Sequence, residues 1–287
     1  MFHLTILASG SAGNCALVES PGCRLLIDGG LSARQMAGRL TALGVAPESI
    51  DGIVLTHEHC DHTTGLDVWC KQFSTPVYTN RLTAEALRSA EDPAKERKKD
   101  WRTFLTGSEF SIGDISIQSF PVPHDAVDPC GFILHCGGAS LGFLTDLGFA
   151  TKLACERVRE VHTLLIETNH DEKLLQNDTR RPWPVKQRIM SRHGHLSNAA
   201  AAEVIAGLVG SQLRRVVLGH LSRDCNTPDL ALATVRGRLQ AMGAGEELEV
   251  SCAVQNQLGE RMRIEAAVAA APAPEAMRMH EQTFFWS

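Results

Sequence analysis

The stretch LTHEHCDHTTG places His57, His59, Asp61 and His62 within six positions. A lone histidine on a polar turn usually does no chemistry, but four nitrogen and oxygen donors spaced H-x-H-x-D-H have the density of a metal site. Cys60, inside the cluster, is read as a small side chain turned away from the metals. A two-metal hydrolytic site needs about six or seven such donors, a shared oxygen and an open position for substrate. Three more candidates complete the number: His124 in PVPHDAVDP, Asp146 in GFLTDLG and His220 in VVLGHLS. Each follows an apolar, strand-like run, so one sheet edge could present them all.

The elements that must carry these residues are legible in outline. DGIVLT, residues 51–56, has the content of a buried strand, punctuated at its start by Pro47, Asp51 and Gly52. Strands are expected at 4–8, 15–19 and 24–27. A helix over 32–43 has Met36, Leu40 and Leu43 on one face and Gly44 as its stop. A strand at Val77 precedes a helix through Leu82, Ala86 and Leu87, and the charged run EDPAKERKKD reads as a solvated loop. Two hairpins are expected across Gly113-Asp114 and Gly137-Gly138. After them come a helix over 151–158, a strand over 163–167, a helix over 198–208, a strand over 215–218 and a helix over 228–242. The last of these has Thr227 as N-cap, Pro228 in first place and Asp229 in its first turn. Strands followed by helices in each half, with no internal repeat, fit two packed sheets with helices outside better than one parallel sheet.

With 44% hydrophobic residues in 287, the chain can bury a full core. Its 28 Lys and Arg against 33 Asp and Glu give a net charge of −5, so a polyanion would need a local patch rather than a global field. Nine cysteines without a C-x-x-C pair read as reduced thiols. MFHLTILASG has neither the basic start nor the apolar length of a signal peptide, and no run of about 18 apolar residues occurs. A soluble, cytoplasmic protein with no membrane partner is expected.

H-x-H-x-D-H followed by His124, Asp146 and His220 in that order resembles the metallo-β-lactamase superfamily of hydrolases. Within it the sequence is similar to the YycJ/WalJ group through LASGSAGNC, LLIDGGLSAR, LTHEHCDHTTGL, PVPHDAVDPCGF, IETNHD, GHLSN and LGHLSRDCNTPDLA, which cover about residues 4 to 252. The resemblance implies an α/β fold, the αββα four-layer sandwich, over residues 1–264, and a dinuclear metal hydrolase related to the nuclease branch, with DNA exonuclease as the group's proposed activity. It implies that His57, His59 and His124 bind one divalent ion, that Asp61, His62 and His220 bind a second, and that Asp146 bridges them. That division is physically sensible: imidazoles set one Lewis-acid centre, and the carboxylates offset charge and hold both ions close enough to share a hydroxide, the expected nucleophile. Asp61 could also orient that hydroxide or accept its proton. Asp28, closing LLIDGG, resembles the family's carboxylate that buttresses the histidine motif; a turn or N-cap aspartate before the helix is the alternative. Gly29 and Gly30 would let the backbone approach closely. The metals could be zinc or manganese, because histidine and aspartate accept either.

Three activities compete. An aspartate rather than a cysteine at 146, with Asp61 in the motif, favours a phosphodiesterase or nuclease over a β-lactamase. A glyoxalase II-like thioesterase uses the same donors and is the enzymatic rival, and a noncatalytic regulatory protein that kept its ligands is the third reading. SRHGHLSNAAA sets His195, Ser197 and Asn198 at a helix start, where free N–H groups favour anions. His195 resembles the histidine that the nuclease branch presents to the scissile phosphate or the leaving group. Ser11 and Asn14 in the SGSAGN loop, His170 in ETNHD and Asn226 in DCNTPD are further candidate substrate contacts. TRRPWPVKQR gathers Arg180, Arg181, Lys186 and Arg188 around Trp183, a basic path with an aromatic that could stack on a base. A solvated helix face around a core tryptophan explains that run nearly as well. The stretch from Asp146 to His220 is too short for the β-CASP insertion of the RNA-processing relatives, so the groove should be shallow or completed by a second subunit in a homodimer. From residue 265 the Ala- and Pro-rich composition reads as a disordered linker ending in HEQTFFWS. Its aromatics either fold back onto this domain or a second subunit, or form a short motif like those that bind the sliding clamp.

Overall fold

The central strands CALVE, ASLGFL and TLLIE are buried on both faces, as sheets lying between layers require. The computed structural model describes residues 2–90 and 99–266. The first sheet comprises β1 (Phe2–Ala8), β2 (Cys15–Glu19), β3 (Arg24–Ile27), β4 (Gly52–Val54), β5 (Val77–Asn80), β6 (Trp101–Phe104) and, from the far end of the chain, β14 (Met262–Ile264). Its order is β14-β1-β2-β3-β4-β5-β6. The second sheet holds β7 (Glu109–Ile112), β8 (Ile115–Pro121), β9 (Cys130–Cys136), β10 (Ala139–Leu144), β11 (Thr163–Glu167), β12 (Arg215–Gly219) and β13 (Glu249–Cys252), in the mirror order β13-β12-β11-β10-β9-β8-β7.

The helices are α1 (Ala33–Ala42), α2 (Cys60–Thr63), α3 (Leu66–Phe73), α4 (Arg81–Ala90), α5 (Lys152–Arg157), α6 (Glu172–Asn177), α7 (Trp183–Ile189), α8 (Asn198–Ala206) and α9 (Pro228–Ala241). Three apolar layers separate the four structural ones. Leu4, Ile6, Leu25, Ile117, Phe132 and Phe143 fill the space between the sheets. Met36 and Leu40 of α1 and Trp69 of α3 cover the outside of the first sheet. Ala201 and Ile205 of α8 with Val235 and Leu239 of α9 cover the outside of the second. The fold is the αββα sandwich.

Local chemistry fixes the helix starts. Ser32 and Gln35 close a reciprocal capping box on α1, and Thr151, Asp171, Ser197 and Thr227 each accept an N–H bond at the start of α5, α6, α8 and α9. Ser32, not Asp28, is therefore the cap of α1. Two expectations need correction. The strand expected over 51–56 pairs only as Gly52–Val54, because the chain leaves the ladder to form the histidine loop. Of the charged run expected to be solvated, 91–98 lie outside the described residues, but Lys99 is buried with Nζ 2.7 Å from Asp67 Oδ1. Apart from Glu265 and Ala266, the Ala- and Pro-rich tail with its aromatic end also lies outside the described residues. No described helix is long and apolar enough to cross a membrane.

Candidate metal centre

The candidate donors sit beyond the ends of strands from both sheets. Asp28 follows β3, the histidine loop follows β4, His124 follows β8, Asp146 follows β10 and His220 follows β12. Asp28, Asp146 and His220 hold left-handed backbones, with φ of 62°, 55° and 54°. Such conformations cost a non-glycine residue roughly 1–3 kcal/mol each and persist where the surroundings dictate them. Here they turn three side chains off the strand direction into one cluster.

The imidazoles share a pattern. His57 Nδ1 donates to Thr56 Oγ1 at 3.0 Å, His62 Nδ1 to Asp28 Oδ2 at 2.8 Å, His124 Nδ1 to the Gly194 carbonyl at 3.0 Å and His220 Nδ1 to Glu167 Oε1 at 2.7 Å. Each of these bonds engages Nδ1 and turns Nε2 toward the cluster, the atom that metal-ligating histidines anchored in this way offer. One donor atom from each of His57, His59 and His124 lies within 4.8 Å of the others, and so does one from each of Asp61, His62 and His220. Asp146 stands between the two sets: its Oδ2 is 3.3 Å from His62 Nε2, and its Oδ1 is 3.4 Å from His220 Nε2 and 3.8 Å from His124 Nε2. His57 Nε2 and Asp146 Oδ2 are buried without a hydrogen-bond partner. Orphaned atoms of this kind, in a cluster made only of nitrogen and oxygen donors, fit divalent cations.

The electrostatics divide the same way. Burial drives the His57 ring well below the ordinary histidine range, helped by neighbouring His62, and burial also lowers His124. At His62 and His220 burial pulls down too, but Asp146 together with Asp28, or with Asp61 and Glu167, holds both rings well above it. One half is thus a trio of imidazoles and the other is rich in carboxylate.

Asp28 carries out the buttressing: besides His62, its Oδ1 accepts the Thr56 N–H at 2.9 Å and the Thr56 hydroxyl at 3.0 Å. Gly30 packs so tightly that an added Cβ would sit 1.7 Å from the Asp61 carbonyl oxygen. Gly30→Ala is therefore expected to displace the histidine loop. The variant should lose bound metal and several degrees of melting temperature, whereas metal content equal to the parent's would refute this account of the loop.

Glu167 is the functional residue that sequence reasoning missed. It closes β11, is fully buried, and accepts four N–H bonds: His195 Nδ1 at 2.8 Å and His220 Nδ1 at 2.7 Å on Oε1, Leu147 N at 3.0 Å and Leu196 N at 3.1 Å on Oε2. Burial alone would raise its carboxyl; His195 and His220 beside it hold it down at about 2. With its lone pairs filled in this way it positions imidazoles rather than binding an ion. The signal available was an acidic residue closing an otherwise apolar strand, TLLIE. Asp125 was also passed over; its Oδ1 is 3.3 Å from His124 Nε2.

A model of the β-lactamase superfamily domain matches residues 23–221. The chain belongs to the β-lactamase superfamily. It is 36% identical over 251 residues to exodeoxyribonuclease WalJ of Streptococcus pneumoniae, spanning 87% of this chain and 93% of that one. It is 33% identical over 250 residues to exodeoxyribonuclease YycJ of Bacillus anthracis, spanning 86% and 94%. The fold is shared with the metallo-β-lactamase fold protein YhfI from Bacillus subtilis, at a TM-score of 0.67 and 16% identity over 91% of this chain and 99% of that one.

Against that superfamily frame, the expected substrate contacts fall into two groups. His195 lies at the centre, its ring 5.0 Å from His124 and 5.3 Å from His220. Asn14 does too, with Nδ2 3.2 Å from His62 Nε2. Trp183 is 57% exposed, so the core-tryptophan reading fails, and Ser11 is exposed. The others are occupied by the fold. Ser197 caps α8 and donates to Glu172, while Asn198 and Asn226 exchange side-chain hydrogen bonds with each other. His170 differs: its backbone bridges to Ser197, but its ring is buried with Nδ1 lacking a hydrogen-bond partner. The basic run is largely neutralised: Arg180 and Arg181 pair with Asp178 and Asp224, Arg188 with Asp125, and Lys186 is buried with Nζ on the Gln176 carbonyl. The SGSAGN loop is a tight turn whose N–H groups at Gly10, Ala12, Gly13 and Asn14 bond within the protein.

Proposed function

We propose that this chain is a dinuclear metal-dependent phosphodiesterase that removes nucleotides from a DNA end. What carries the reading is the convergence of four Nδ1-anchored imidazoles on Asp146, together with the Glu167–His195 pair beside them. His57, His59 and His124 would hold one cation, Asp61, His62 and His220 the other, and Asp146 both. Zinc or manganese suits this donor set. Bound there, two divalent cations supply Lewis acidity to the phosphoryl oxygens and lower the pKa of the attacking water.

The chain's own groups supply the rest. Burial alone would raise Asp61, but the neighbouring His220 and His62 rings hold its carboxyl well below the ordinary range, and its side chain stays partly open, so it can orient the water or take its proton. Burial alone would lower His195, but Glu167 raises it, which favours the imidazolium. Glu167 fixes Nδ1, so Nε2 is the atom that can protonate the leaving oxygen as its bond to phosphorus breaks. Asn14 Nδ2, 3.4 Å from Asp61 Oδ2, holds that carboxylate from the loop side. Nine cysteines, none of them in a disulfide among the described residues, support a cytoplasmic setting.

The deciding experiment is metal analysis of the purified protein, then assay on 5′-labelled single- and double-stranded DNA, RNA and a glutathione thioester. DNA degradation from an end is expected; turnover of the thioester alone would sink the reading. His195→Ala should keep its metals and lose roughly 10²–10⁴-fold in rate, the range of general-acid contributions. Full activity on DNA in that variant would remove His195 from the mechanism.

A further inference from the structure

The 9–14 loop has two sides. On one, Asn14 touches His62 and Asp61. On the other, Ser9, Ser11 and Ala12 line a cavity of about 410 Å³, a volume suited to a small ligand. Beside the loop the cavity is also lined by Leu221 and Ser222, directly after His220, whose N–H donates to Ser9 Oγ at 2.7 Å. Cavity and metal centre therefore share a wall.

Its lining is part apolar, part spent and part free. Leu221, Pro228, Ala253 and Val254 give an apolar floor. Gln255 is used up on Ala12 N and the Gly13 carbonyl, and Arg181 is paired with Asp224. Ser11, Arg223 and Asn256 are exposed at the rim and, among the described residues, make no hydrogen bond or ion pair. A free guanidinium recognises phosphate, a free amide can pair with a base edge, and an apolar floor takes a base face. A bare phosphate would leave that floor unused.

We propose that this cavity is the subsite for the nucleotide beside the scissile phosphate, with Arg223 on its phosphate, Asn256 at its base edge and Leu221 and Val254 against its base. This rests on the phosphodiesterase reading and adds to it where the strand lies. The test titrates the metal-loaded full chain with thymidine 5′-monophosphate and compares kcat/KM on a single-stranded oligodeoxynucleotide with that on bis(p-nitrophenyl) phosphate, in the parent, Arg223→Ala, Arg223→Lys and Asn256→Ala. Arg223→Ala should weaken mononucleotide binding and lower the oligonucleotide-to-small-diester ratio by about tenfold or more, with Arg223→Lys between it and the parent. Asn256→Ala should lower both by a few-fold. Unchanged binding and an unchanged ratio would overturn the subsite while leaving the phosphodiesterase intact, as would inorganic phosphate binding as tightly as the nucleotide. A parent that hydrolyses neither diester would overturn the phosphodiesterase, and the subsite would then survive only if the nucleotide binds and Arg223→Ala weakens it.

Discussion

His59→Ala is expected to abolish hydrolysis, with a loss of roughly 10³-fold or more, and to lower bound metal from two ions per chain to one or none. The loss should exceed the ~10–100-fold that follows removal of a partner standing behind a metal ligand. The fold should survive, because the His59 ring is half-buried and makes no hydrogen bond among the described residues; its contacts are edge-on to the rings of His57 and His124 at 4.6 and 5.1 Å. The bonds that hold the loop here come from its backbone: the His59 carbonyl accepts the His62 N–H at 2.9 Å and the Thr63 hydroxyl at 2.9 Å. Stability should therefore change by about 1 kcal/mol or less in the metal-free protein. Metal analysis alongside thermal melting checks both halves. Unchanged metal content with lost activity would take His59 out of the ligand set and make it a substrate contact.

What could be read from the sequence, and what could not, follows from range. His57, His59, Asp61 and His62 are neighbours in the chain, so their spacing alone announced the site. His124, Asp146 and His220 were legible because each ends an apolar run, and strand ends are where a sheet presents its side chains. Glu167 carried no such cue: its role comes from His195 and His220, 28 and 53 positions further on, which meet it only in the folded sheet. The same blindness to long-range partners made 179–188 look like a basic path, when Asp125 and Asp224, far away in sequence, join the adjacent Asp178 in neutralising its arginines. Elements with clean periodicity and caps, such as α1 and α9, were expected close to where they lie. β6 was not, since WRTF shows only Phe104 buried and nothing of the alternation that marks a strand.

Glu167→Gln tests the coupling between the two halves of the mechanism. The amide keeps the size of the carboxylate but supplies one oxygen and one donor where four N–H groups now converge, so one pair of them must face an N–H. Breaking a buried charged network from one side costs about 3–5 kcal/mol, which weakens the protein without necessarily unfolding it. The rate on DNA should fall roughly 10²–10⁴-fold, as for loss of a general acid. The pH profile separates positioning from mere damage. Glu167 raises the His195 pKa, and a step that needs the imidazolium is lost as pH rises through that value. Removing the charge lowers the His195 pKa, so the alkaline limb of kcat should move to lower pH in Glu167→Gln. Glu167→Asp, which retains the charge at a longer reach, should bring the limb part of the way back. A variant that is slower at every pH with its alkaline limb unmoved would mean that Glu167 only holds β11 and its neighbours in place, and that the leaving oxygen takes its proton from elsewhere.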